Sequence, residues 1–455
     1  MSSSTDSLTG RVVRQGDSGF EAARLGWNQL YSSTPDAVVF CGRTADVVNA
    51  LTWARHNGVP VRIRSGRHCL EGWSGVDGGL VIDVSALKSA QIDHVSRTAT
   101  VGAGLNQSEA VTALGGAGFA TPTGTEGSVG LVGATLGGGF GLLTRRFGMA
   151  SDNLVAAEVV LAPAGGGATV VIADEQNNTD LLWALRGAGN GNFGIVTSLT
   201  YRVHRLTQAI YVTATWPGLD HLPSVFEAWQ RSAPYVDDRL TSQLEIRHDE
   251  IMLVGALVSG SETEALQMLA PVLSVGAPDV VTREADWPGI YSGFQIPTDD
   301  EPANWKFQSQ FMSEPFPPEA VSIVCAFMSN APTAQCNYFT NAFGGAVRNS
   351  EPPGGSVFAH RNALFYAEPG AGWGVRDQAP PSPDTLTARC LGWIAKFGAA
   401  LAPYADGAYV NVPNAGVPDW EKAYWGPNVD QLRAIKATYD PDGVFSFEQG
   451  LTAPD

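Results

Sequence analysis

A segment with chemically useful side chains, RSGRHCLEGWSG, occupies positions 64–75 of the chain. It contains three glycines, two arginines and a histidine beside a cysteine, His68 and Cys69, and it directly follows the strand-like VPVRI. Such a segment could hold a metal ion, cradle a phosphate with backbone N–H groups, or form an ordinary turn. The residues alone leave these three alternatives open.

A second segment, Gly124–Gly141, contains eight glycines in eighteen positions. Glycine lets the backbone adopt positive φ and approach a ligand closely, at a cost in chain entropy. This density favours either a backbone wrapped around a flat or anionic molecule, or one loop crossing another. The later GAGNGNFG also contains a GxG, but it precedes a strand, whereas the Rossmann fingerprint follows a strand and opens a helix. We therefore exclude an NAD site there.

The charge balance and the cysteines narrow the classes of ligand. The 455 residues include 28 Lys and Arg against 45 Asp and Glu, a net charge of −17, which argues against a nucleic-acid partner. The five cysteines are widely spaced without a CxxC pair, so we expect neither a metal site nor a disulfide framework. Because we find no membrane-length apolar run and no signal-peptide pattern, we expect a cytoplasmic protein without a membrane partner. We also expect a monomer.

Several blocks of secondary structure must position these loops. ADVVNALTWARHNG predicts a helix that stops at Gly58, and VPVRIR, GGLVIDVS and TATVGAG predict strands, which gives a first unit over residues 1–105. Residues 106–204 form a second unit, in which a glycine loop leads into a long strand. Strands and amphipathic helices between 205 and 402 predict an antiparallel sheet covered by helices. Residues 403–455 are expected to hold a strand near DGAYVNV and a helix that ends at Asp440.

Five motifs occur in one order: RSGRH after a strand, DGGLVIDVS, GLVGATLGGGFGLLTRRFGMASDNL, LLWALRGAGNGNFGIVT, and AYVN with YDPDGVF. Together they resemble the vanillyl-alcohol-oxidase-type (PCMH-type) FAD-linked oxidoreductases, specifically the berberine-bridge-enzyme-like branch. The resemblance covers almost the whole chain and is weakest from about residue 205 to 355. It implies an α+β fold: a two-part FAD-binding domain of PCMH type (1–204), a substrate domain (205–402), and a C-terminal segment (403–455) that returns to the FAD domain.

The resemblance implies FAD as the cofactor, held by one covalent bond. In that family the Arg-Ser-Gly-x-His loop supplies amides to the diphosphate, and its histidine, here His68, is bonded to the 8α-methyl group of the flavin. A neutral imidazole is nucleophilic near its ordinary pKa of about 6.5. The thiol of Cys69 is expected to point away if His68 faces the flavin. The further residues assigned to the cofactor are Arg64, Ser65, Gly66, Arg67, Cys69, Gly124, Glu126, Gly127, Val129, Gly130, Gly133, Gly189, Asn190, Asn192, Ile195 and Asn411.

The chain departs from the family at the position of a second covalent link. Many members carry a cysteine in the frame GxCPTVG, which here reads Gly124-Thr-Glu126-Gly-Ser-Val-Gly130. Because a carboxylate cannot form the thioether, we predict a single bond through His68. Glu126 is then either a solvated loop carboxylate or a group near the dimethylbenzene edge of the flavin. In the family, a valine at the position of Val129 goes with oxygen access, which favours an oxidase.

A second departure concerns the catalytic base. The family motif Tyr-x-Asn-Tyr often supplies its second tyrosine as the base, but the last position here is Val412. The segment HRNALFYAEPG resembles the family strand that faces the flavin and places Glu368 where relatives have Gln or a catalytic Glu. A glutamate in an apolar pocket can have its pKa raised toward neutrality. We predict Glu368 as the base and Tyr366 as the alternative, against a water-exposed carboxylate at a strand edge. Asn411 is expected to hold the flavin or ribityl edge, and Tyr409 to pack.

These assignments predict an FAD-dependent oxidase that transfers a hydride from a CH–OH carbon to flavin N5, with O₂ reduced to H₂O₂. Family branches oxidise sugars or secondary-metabolite alcohols, or close C–C and C–O bonds. The leading expectation is the anomeric carbon of a mono- or oligosaccharide, oxidised to a lactone. A dehydrogenase with another acceptor, an oxidase of a secondary-metabolite alcohol, and a carbohydrate-binding flavoprotein without turnover remain alternatives. Most aromatic residues are expected in the core. The candidates for a substrate pocket, because they lie in the stretch least similar to the family, are Trp287, Tyr291, Trp305, Phe307 and Trp373.

Overall fold

The computed structural model of the protein describes residues 7–378 and 384–454. Residues 1–6, which open the stretch searched for a signal peptide, lie outside them. The first elements along the chain are β1 (Arg11–Arg14), α1 (Phe20–Arg24), β2 (Ala37–Phe40), α2 (Thr44–Asn57), β3 (Val61–Arg64) and β4 (Leu80–Asp83). Their strands form a sheet in the order β1-β2-β4-β3, parallel except for β1. Helix α2 ends at Gly58 in the left-handed conformation, which confirms the predicted stop.

A second sheet follows, in which neighbouring strands are antiparallel. Its strands lie in the order β5-β6-β10-β8-β9. Strands β5 and β6 pair into this sheet, so the sheets divide between Asp83 and Ala90 rather than near residue 105, where we placed the boundary between the two units. The elements of this part are β5 (Ala90–Asp93), β6 (Thr98–Gly102), α3 (Gln107–Gly116), β7 (Phe119–Ala120), α4 (Leu131–Leu136), α5 (Thr144–Phe147), β8 (Leu154–Leu161), β9 (Thr169–Asp174), α6 (Thr179–Ala188), β10 (Ile195–Arg202) and β11 (His204–Arg205), which pairs with β7.

The third part is a large antiparallel sheet in the order β15-β12-β14-β13-β18-β19-β16, with β17 beside β19. Helices α7, α8, α10 and α12 contribute to the same hydrophobic core as this sheet, which confirms the predicted helix-covered antiparallel sheet. The elements are β12 (Ala209–Pro217), α7 (Leu222–Ser232), β13 (Leu240–Ile246), β14 (Glu250–Val258), α8 (Glu262–Leu273), β15 (Asp279–Ala285), α9 (Trp287–Gly293), β16 (Asn304–Phe307), β17 (Gln310–Met312), α10 (Pro318–Ser329), β18 (Asn337–Ala342), α11 (Ala346–Asn349), β19 (Phe365–Trp373) and α12 (Thr385–Leu401).

The C-terminal segment packs back onto the N-terminal sheets through α13 (Trp420–Trp425) and α14 (Val429–Tyr439). The prediction of a strand near DGAYVNV is wrong. The N–H of Tyr409 donates to Ser309 Oγ, and the N–H of Val412 donates to the carbonyl of Tyr409. These bonds form a turn and leave no strand ladder between residues 409 and 412. Among the described residues, no helix is both long and apolar enough to cross a membrane.

Strand β19 presents two chemically different faces. Residues alternate along a strand, so Phe365, Ala367, Ala371 and Trp373 share the face that packs into the core with the helices. Tyr366, Glu368, Gly370 and Gly372 therefore share the opposite face. The N-terminal part of the chain meets this second face, because Tyr366 packs against Phe140 of the glycine-rich segment and shares a buried cluster with Met149.

The buried guanidinium of Arg145 joins the N-terminal part of the chain to the large sheet. It donates to the carbonyl oxygens of Pro234, Val236, Asp237, Leu240 and Phe343 at 2.5–3.2 Å. A buried carbonyl that loses its donor is costly, typically by about 1–3 kcal/mol. One side chain therefore satisfies a whole turn of the neighbouring domain.

We expect Arg145→Met to lower the free energy of unfolding by about 3 kcal/mol or more, because several of these carbonyls lose their donor inside the protein. Urea unfolding measures the loss. The adjacent Arg146 is exposed, so Arg146→Met is the matched control and should change the value by less than about 0.5 kcal/mol. Equal effects of the two substitutions would contradict the role given to Arg145.

Candidate active site

Two glycine-containing loops cross with their backbones in contact. A Cβ atom at Gly66 would lie 2.1 Å from the backbone nitrogen of Gly130, and a Cβ at Gly130 would lie 2.7 Å from that of Gly66. Only glycine at both positions allows this approach. The loop after β3, which carries His68, is therefore fixed against the segment that leads into α4.

The segment 124–127 is held by side chains from two directions. The amides of Gln107 and Gln295 each donate to one of its carbonyls and accept from one of its N–H groups, at 2.5–2.9 Å. Tyr291 donates its hydroxyl to the carbonyl of Gly124. Because backbone groups on both sides of Glu126 are fixed in this way, the carboxylate has a defined position.

His68 lies between an aromatic ring and a hydroxyl group. Its imidazole stacks on Trp27 with ring centroids 4.8 Å apart, and its Nε2 lies 2.8 Å from Ser128 Oγ. Ser128 in turn donates to Glu126 Oε1 at 2.7 Å. Burial, together with the charge of Arg376, lowers the pKa of His68 to about 3, so the ring is neutral at neutral pH. The sequence did not single out Ser128 or Trp27.

The neighbours of His68 use their side chains within the protein. The guanidinium of Arg64 forms a buried ion pair with Asp83 and donates to the carbonyl of Ala23. Arg67 has φ of 63° and donates to the carbonyl of Ala22. The thiol of Cys69 accepts backbone N–H groups of the following turn, and burial raises its pKa. The contacts of these residues with the cofactor stay predictions. Because their side chains are already bonded within the protein, such contacts would have to come from their backbone N–H groups and from that of Ser65.

Asn411 is the centre of an amide cluster beside α4. Its Nδ2 donates to the carbonyl of Ala134, and its Oδ1 accepts from Asn190, which also donates to the carbonyl of Gly133. A Cβ at Gly137 would lie 2.0 Å from Asn411 Oδ1, so glycine is required there. The missing side chain at position 137 thus allows Asn411 to lie directly against the glycine-rich segment.

The cofactor residues predicted between positions 189 and 195 divide into two groups. Gly189 donates its N–H to Leu136 at the end of α4, which places this turn beside the amide cluster. Asn192 and Ile195 are fully buried, and the amide of Asn192 bonds the backbones of Ala188 and Leu451. Their side chains thus hold the fold, and their contacts with a cofactor stay predictions.

The described residues fit an FAD-sized ligand at three points. A Cβ at Gly133 would meet no atom within 4 Å, which leaves open space beside α4. Asn190 Oδ1 is buried without a hydrogen-bond partner. His68 Nδ1 has no hydrogen-bond partner among the described residues, and the ring is neutral. An open cradle, a free acceptor and a nucleophile are the groups that a tethered flavin dinucleotide requires.

Glu368 and Tyr366 form a hydrogen-bonded pair on β19, as their alternation predicted. The Tyr366 hydroxyl donates to Glu368 Oε2. Removal from water raises the pKa of Glu368 to about 7, although the hydrogen bond from Tyr366 works in the opposite direction. The rings of Tyr409 and Tyr366 pack with their centroids 5.7 Å apart. The Tyr409 hydroxyl oxygen accepts hydrogen bonds from the N–H of Gly139 and from Nδ2 of Asn411. The exposed strand-edge alternative for Glu368 does not agree with this environment.

Two of the five aromatic residues predicted for the pocket lie near Glu368. A Cβ at Gly370 would lie 2.8 Å from the ring of Phe307, and one at Gly372 would lie 2.8 Å from the ring of Trp305. Both rings are half-buried, and they stack with their centroids 5.1 Å apart. The Trp305 ring also lies nearly parallel to the ring of Trp27.

The prediction is wrong for the other three aromatic residues. Trp287 and Tyr291 are buried in a small core under β12, and Trp373 lies on the helix-covered face of β19. Alternation along β19 places Trp373 on the opposite face from Glu368, whereas Trp287 and Tyr291 lie on the short helix α9. Among the described residues, no group of three or more His, Cys, Asp or Glu side chains could hold a metal ion.

Comparison with known proteins gives consistent matches. The family model for an FAD binding domain matches residues 35–169, and the berberine and berberine-like model matches residues 408–452. The FAD-linked oxidoreductase YgaK of Bacillus subtilis (strain 168) is 36% identical over 98% of this chain and 97% of its own. The (R)-6-hydroxynicotine oxidase of Paenarthrobacter nicotinovorans is 29% identical over 61% of this chain and 57% of its own. The structure of Physcomitrella patens BBE-like 1, 28% identical, covers 98% of both chains with a TM-score of 0.90.

We expect Gly133→Ala to separate folding from flavin binding. Alanine in the helix should stabilise the apoprotein by about 0.5–1 kcal/mol, while its methyl group fills the open space and weakens FAD binding about tenfold. Fluorescence titration of the apoprotein with FAD, beside urea unfolding, measures the two effects. Gly392 lies inside α12 with similar open space, so Gly392→Ala should stabilise the fold without changing FAD binding. Unchanged FAD affinity in Gly133→Ala would remove this position from the cofactor site.

Proposed function

The chain belongs to the berberine-bridge-enzyme-like FAD-linked oxidoreductases of the vanillyl-alcohol-oxidase type, and we propose that it is an oxidase of a small CH–OH compound. Bound FAD supplies the hydride acceptor for this reaction and passes the electrons to O₂. The observation that carries the proposal is the Glu368–Tyr366 pair, a carboxyl group whose pKa is raised to about 7 on the strand face that meets the FAD-binding part.

The pair accounts for the proton of the reaction. Hydride removal from a carbon that bears a hydroxyl group leaves one proton to be taken up. The hydroxyl of Tyr366 occupies one oxygen of Glu368, which orients the carboxylate and leaves the other oxygen to accept the substrate proton. A base with a pKa near the working pH combines a sufficient deprotonated fraction with proton affinity. Tyr366 is thus a positioning residue, and Glu368 replaces the base that Val412 cannot provide.

The proposed cofactor attachment is one covalent bond from His68 to the 8α carbon of the flavin. Support comes from the neutral imidazole with an unbonded Nδ1 and from the fixed crossing of Gly66 and Gly130. Glu126 lies in the same site, 2.7 Å from Ser128 Oγ, and offers no sulfur for a second link. We therefore propose that the mature protein carries one FAD through a single bond.

We propose O₂ as the electron acceptor. Val129 is half-buried in the segment that carries Ser128, and its side chain is smaller than the leucine or isoleucine that would narrow an approach for oxygen. One relative over part of the chain is named an oxidase. Both observations favour peroxide formation over transfer to a dye or quinone.

A carbohydrate is the proposed substrate class. Beside Glu368, the rings of Phe307 and Trp305 form a half-buried aromatic surface of the type that stacks on the apolar face of a sugar ring. Two buried polar atoms next to this surface have no partner, the donor Trp305 Nε1 and the acceptor Asn337 Oδ1. Asn337 Oδ1 lies over Gly370 on the same face of β19 as Glu368. An apolar surface flanked by a free donor and a free acceptor suits a polyhydroxylated ring.

We expect Glu368→Gln to slow substrate-dependent flavin reduction by a factor of about 10²–10³, because the base is lost while the shape is kept. In the wild type the rate constant should rise with pH and level off above an apparent pKa of about 7, since the carboxyl must be deprotonated. Anaerobic stopped-flow reduction across pH measures both effects.

Two further variants make the test specific. Tyr366→Phe removes a hydrogen bond that lowers the pKa of Glu368, so the same limb should move to higher pH. Glu314, exposed on a loop, is the control: Glu314→Gln should keep the wild-type rate and profile. A wild-type rate in Glu368→Gln clears this residue of the role.

A second experiment tests the reaction and the substrate class together. Among mono- and oligosaccharides and aromatic or polycyclic alcohols, we expect sugars to bleach the flavin absorbance without oxygen. One H₂O₂ should form per substrate oxidised in air. Bleaching with dye reduction but no peroxide would identify a dehydrogenase instead. Bleaching only by non-sugar alcohols would overturn the substrate class, and no bleaching by any compound would favour a binding protein without turnover.

A further inference from the structure

The residues around His68 form an ordered chain of hydrogen bonds that ends on an acid. Glu126 Oε1 accepts from both the hydroxyl and the backbone N–H of Ser128, at 2.7 and 3.0 Å. Ser128 Oγ also lies 2.8 Å from His68 Nε2. Glu126 stands at the position where many relatives have a cysteine, so this chain of bonds belongs to the departure from the family pattern.

The direction of these bonds fixes the protonation of the imidazole. A serine hydroxyl has one hydrogen, and a carboxylate can only accept, so the hydrogen of Ser128 points to Glu126. Ser128 Oγ then faces His68 Nε2 with a lone pair, and Nε2 must carry the ring hydrogen. A neutral imidazole with its hydrogen on Nε2 has its lone pair on Nδ1. The arrangement therefore selects Nδ1 as the nucleophile.

We propose that Glu126 and Ser128 are positioning residues for covalent attachment of the flavin: they hold His68 as the Nε2–H tautomer and take up its proton when Nδ1 is joined to the 8α carbon. This inference rests on the proposed attachment through His68. It gives the glutamate, which stands at the position of the family cysteine, a role that differs from a second covalent link.

Atoms and electrons balance with O₂ as the oxidant. The Nδ1–C8α bond forms and one C8α–H bond breaks; the hydrogen leaves as a proton, and its electron pair reduces the flavin ring. The alkylated imidazole is a cation until Nε2 passes its proton to Ser128, whose own proton moves to Glu126. O₂ then takes the two electrons and, in total, two protons, which gives H₂O₂ and the oxidised, tethered flavin.

The charges nearby favour proton transfer in this direction. Arg376, which contributes to the lowered pKa of His68, disfavours a cationic imidazole. Glu301 accepts from Nε1 of Trp27, the ring that stacks on His68, and lies 3.5 Å from Arg376, so its carboxylate already has two partners other than His68. Among the described residues, Ser128 is the one hydrogen-bond partner of His68 Nε2, and Glu126 is the acid behind it.

The test follows covalent attachment itself, independently of turnover. Apoprotein produced under riboflavin limitation is mixed with saturating FAD, and acid-stable flavin is measured over time by intact mass and by fluorescence in denaturing gels. We expect Glu126→Gln and Ser128→Ala to bind FAD, as fluorescence quenching reports, but to form the covalent bond at least tenfold more slowly. Ser128→Thr keeps the hydroxyl and should restore the rate to within about threefold of the wild type.

Thr125→Ala is the control within the same loop, because its side chain forms no hydrogen bond with the residues that the structure describes. It should react at the wild-type rate. NMR of the flavinyl peptide from the wild type should show attachment at Nδ1, a measurement that does not depend on how any variant folds. Wild-type rates in both Glu126→Gln and Ser128→Ala, or attachment at Nε2, overturn the inference. A wild type without acid-stable flavin, or a His68→Ala protein that retains it, instead shows that the proposed attachment through His68 is wrong.

Discussion

The close contact between Gly66 and Gly130 is the constraint on which the site depends. Gly66 lies in the loop after β3, and Gly130 lies in the loop before α4. A methyl group on either residue would collide with the backbone of the other. The contact brings His68 within hydrogen-bond distance of Ser128. Two glycines lose more conformational entropy on folding than other residues would, and this lowers the stability of the folded state. The result of the contact is a histidine whose position is set by backbone packing rather than by a flexible loop.

Glycine acts in the same way on β19, but there it makes room for side chains. Gly370 and Gly372 share a face with Glu368, and their missing Cβ atoms are replaced by the rings of Phe307 and Trp305 from β16. A larger residue at either position would push these rings away from the sheet. This face of β19 thus carries the Glu368 carboxyl group at one end and an aromatic surface at the other. The position of both is set by the same strand. Precision of this kind is easier to obtain on a strand than on a loop.

Local patterns in the sequence predicted the elements, and the order of motifs predicted the family. Apolar periodicity and Gly58 predicted α2, whereas the RSGRH loop alone left its function open and only the resemblance to the family singled out His68. What the sequence could not reveal depends on contacts between distant segments. Strand β5 joins the second sheet because β6 pairs with β10, about 100 residues away along the chain. Ser128 looked like one residue of a glycine-rich turn, and its role appears only when His68 and Glu126 lie on either side of it.

The site contains two pairs of a carboxylate and a hydroxyl, and their surroundings give them different chemistry. In each pair the hydroxyl donates to the acid, Ser128 to Glu126 and Tyr366 to Glu368. The serine hydroxyl has a second neighbour, His68, so it links an imidazole to an acid and can pass a proton between them. The tyrosine is deeply buried, and burial raises its pKa well above the ordinary value, so it stays protonated and only orients its partner. Burial also raises the pKa of Glu368, so that this acid can accept a proton in one half of a cycle and release it in the other. In the functions that we propose, the same pair of functional groups serves a single modification at Glu126 and a repeated reaction at Glu368.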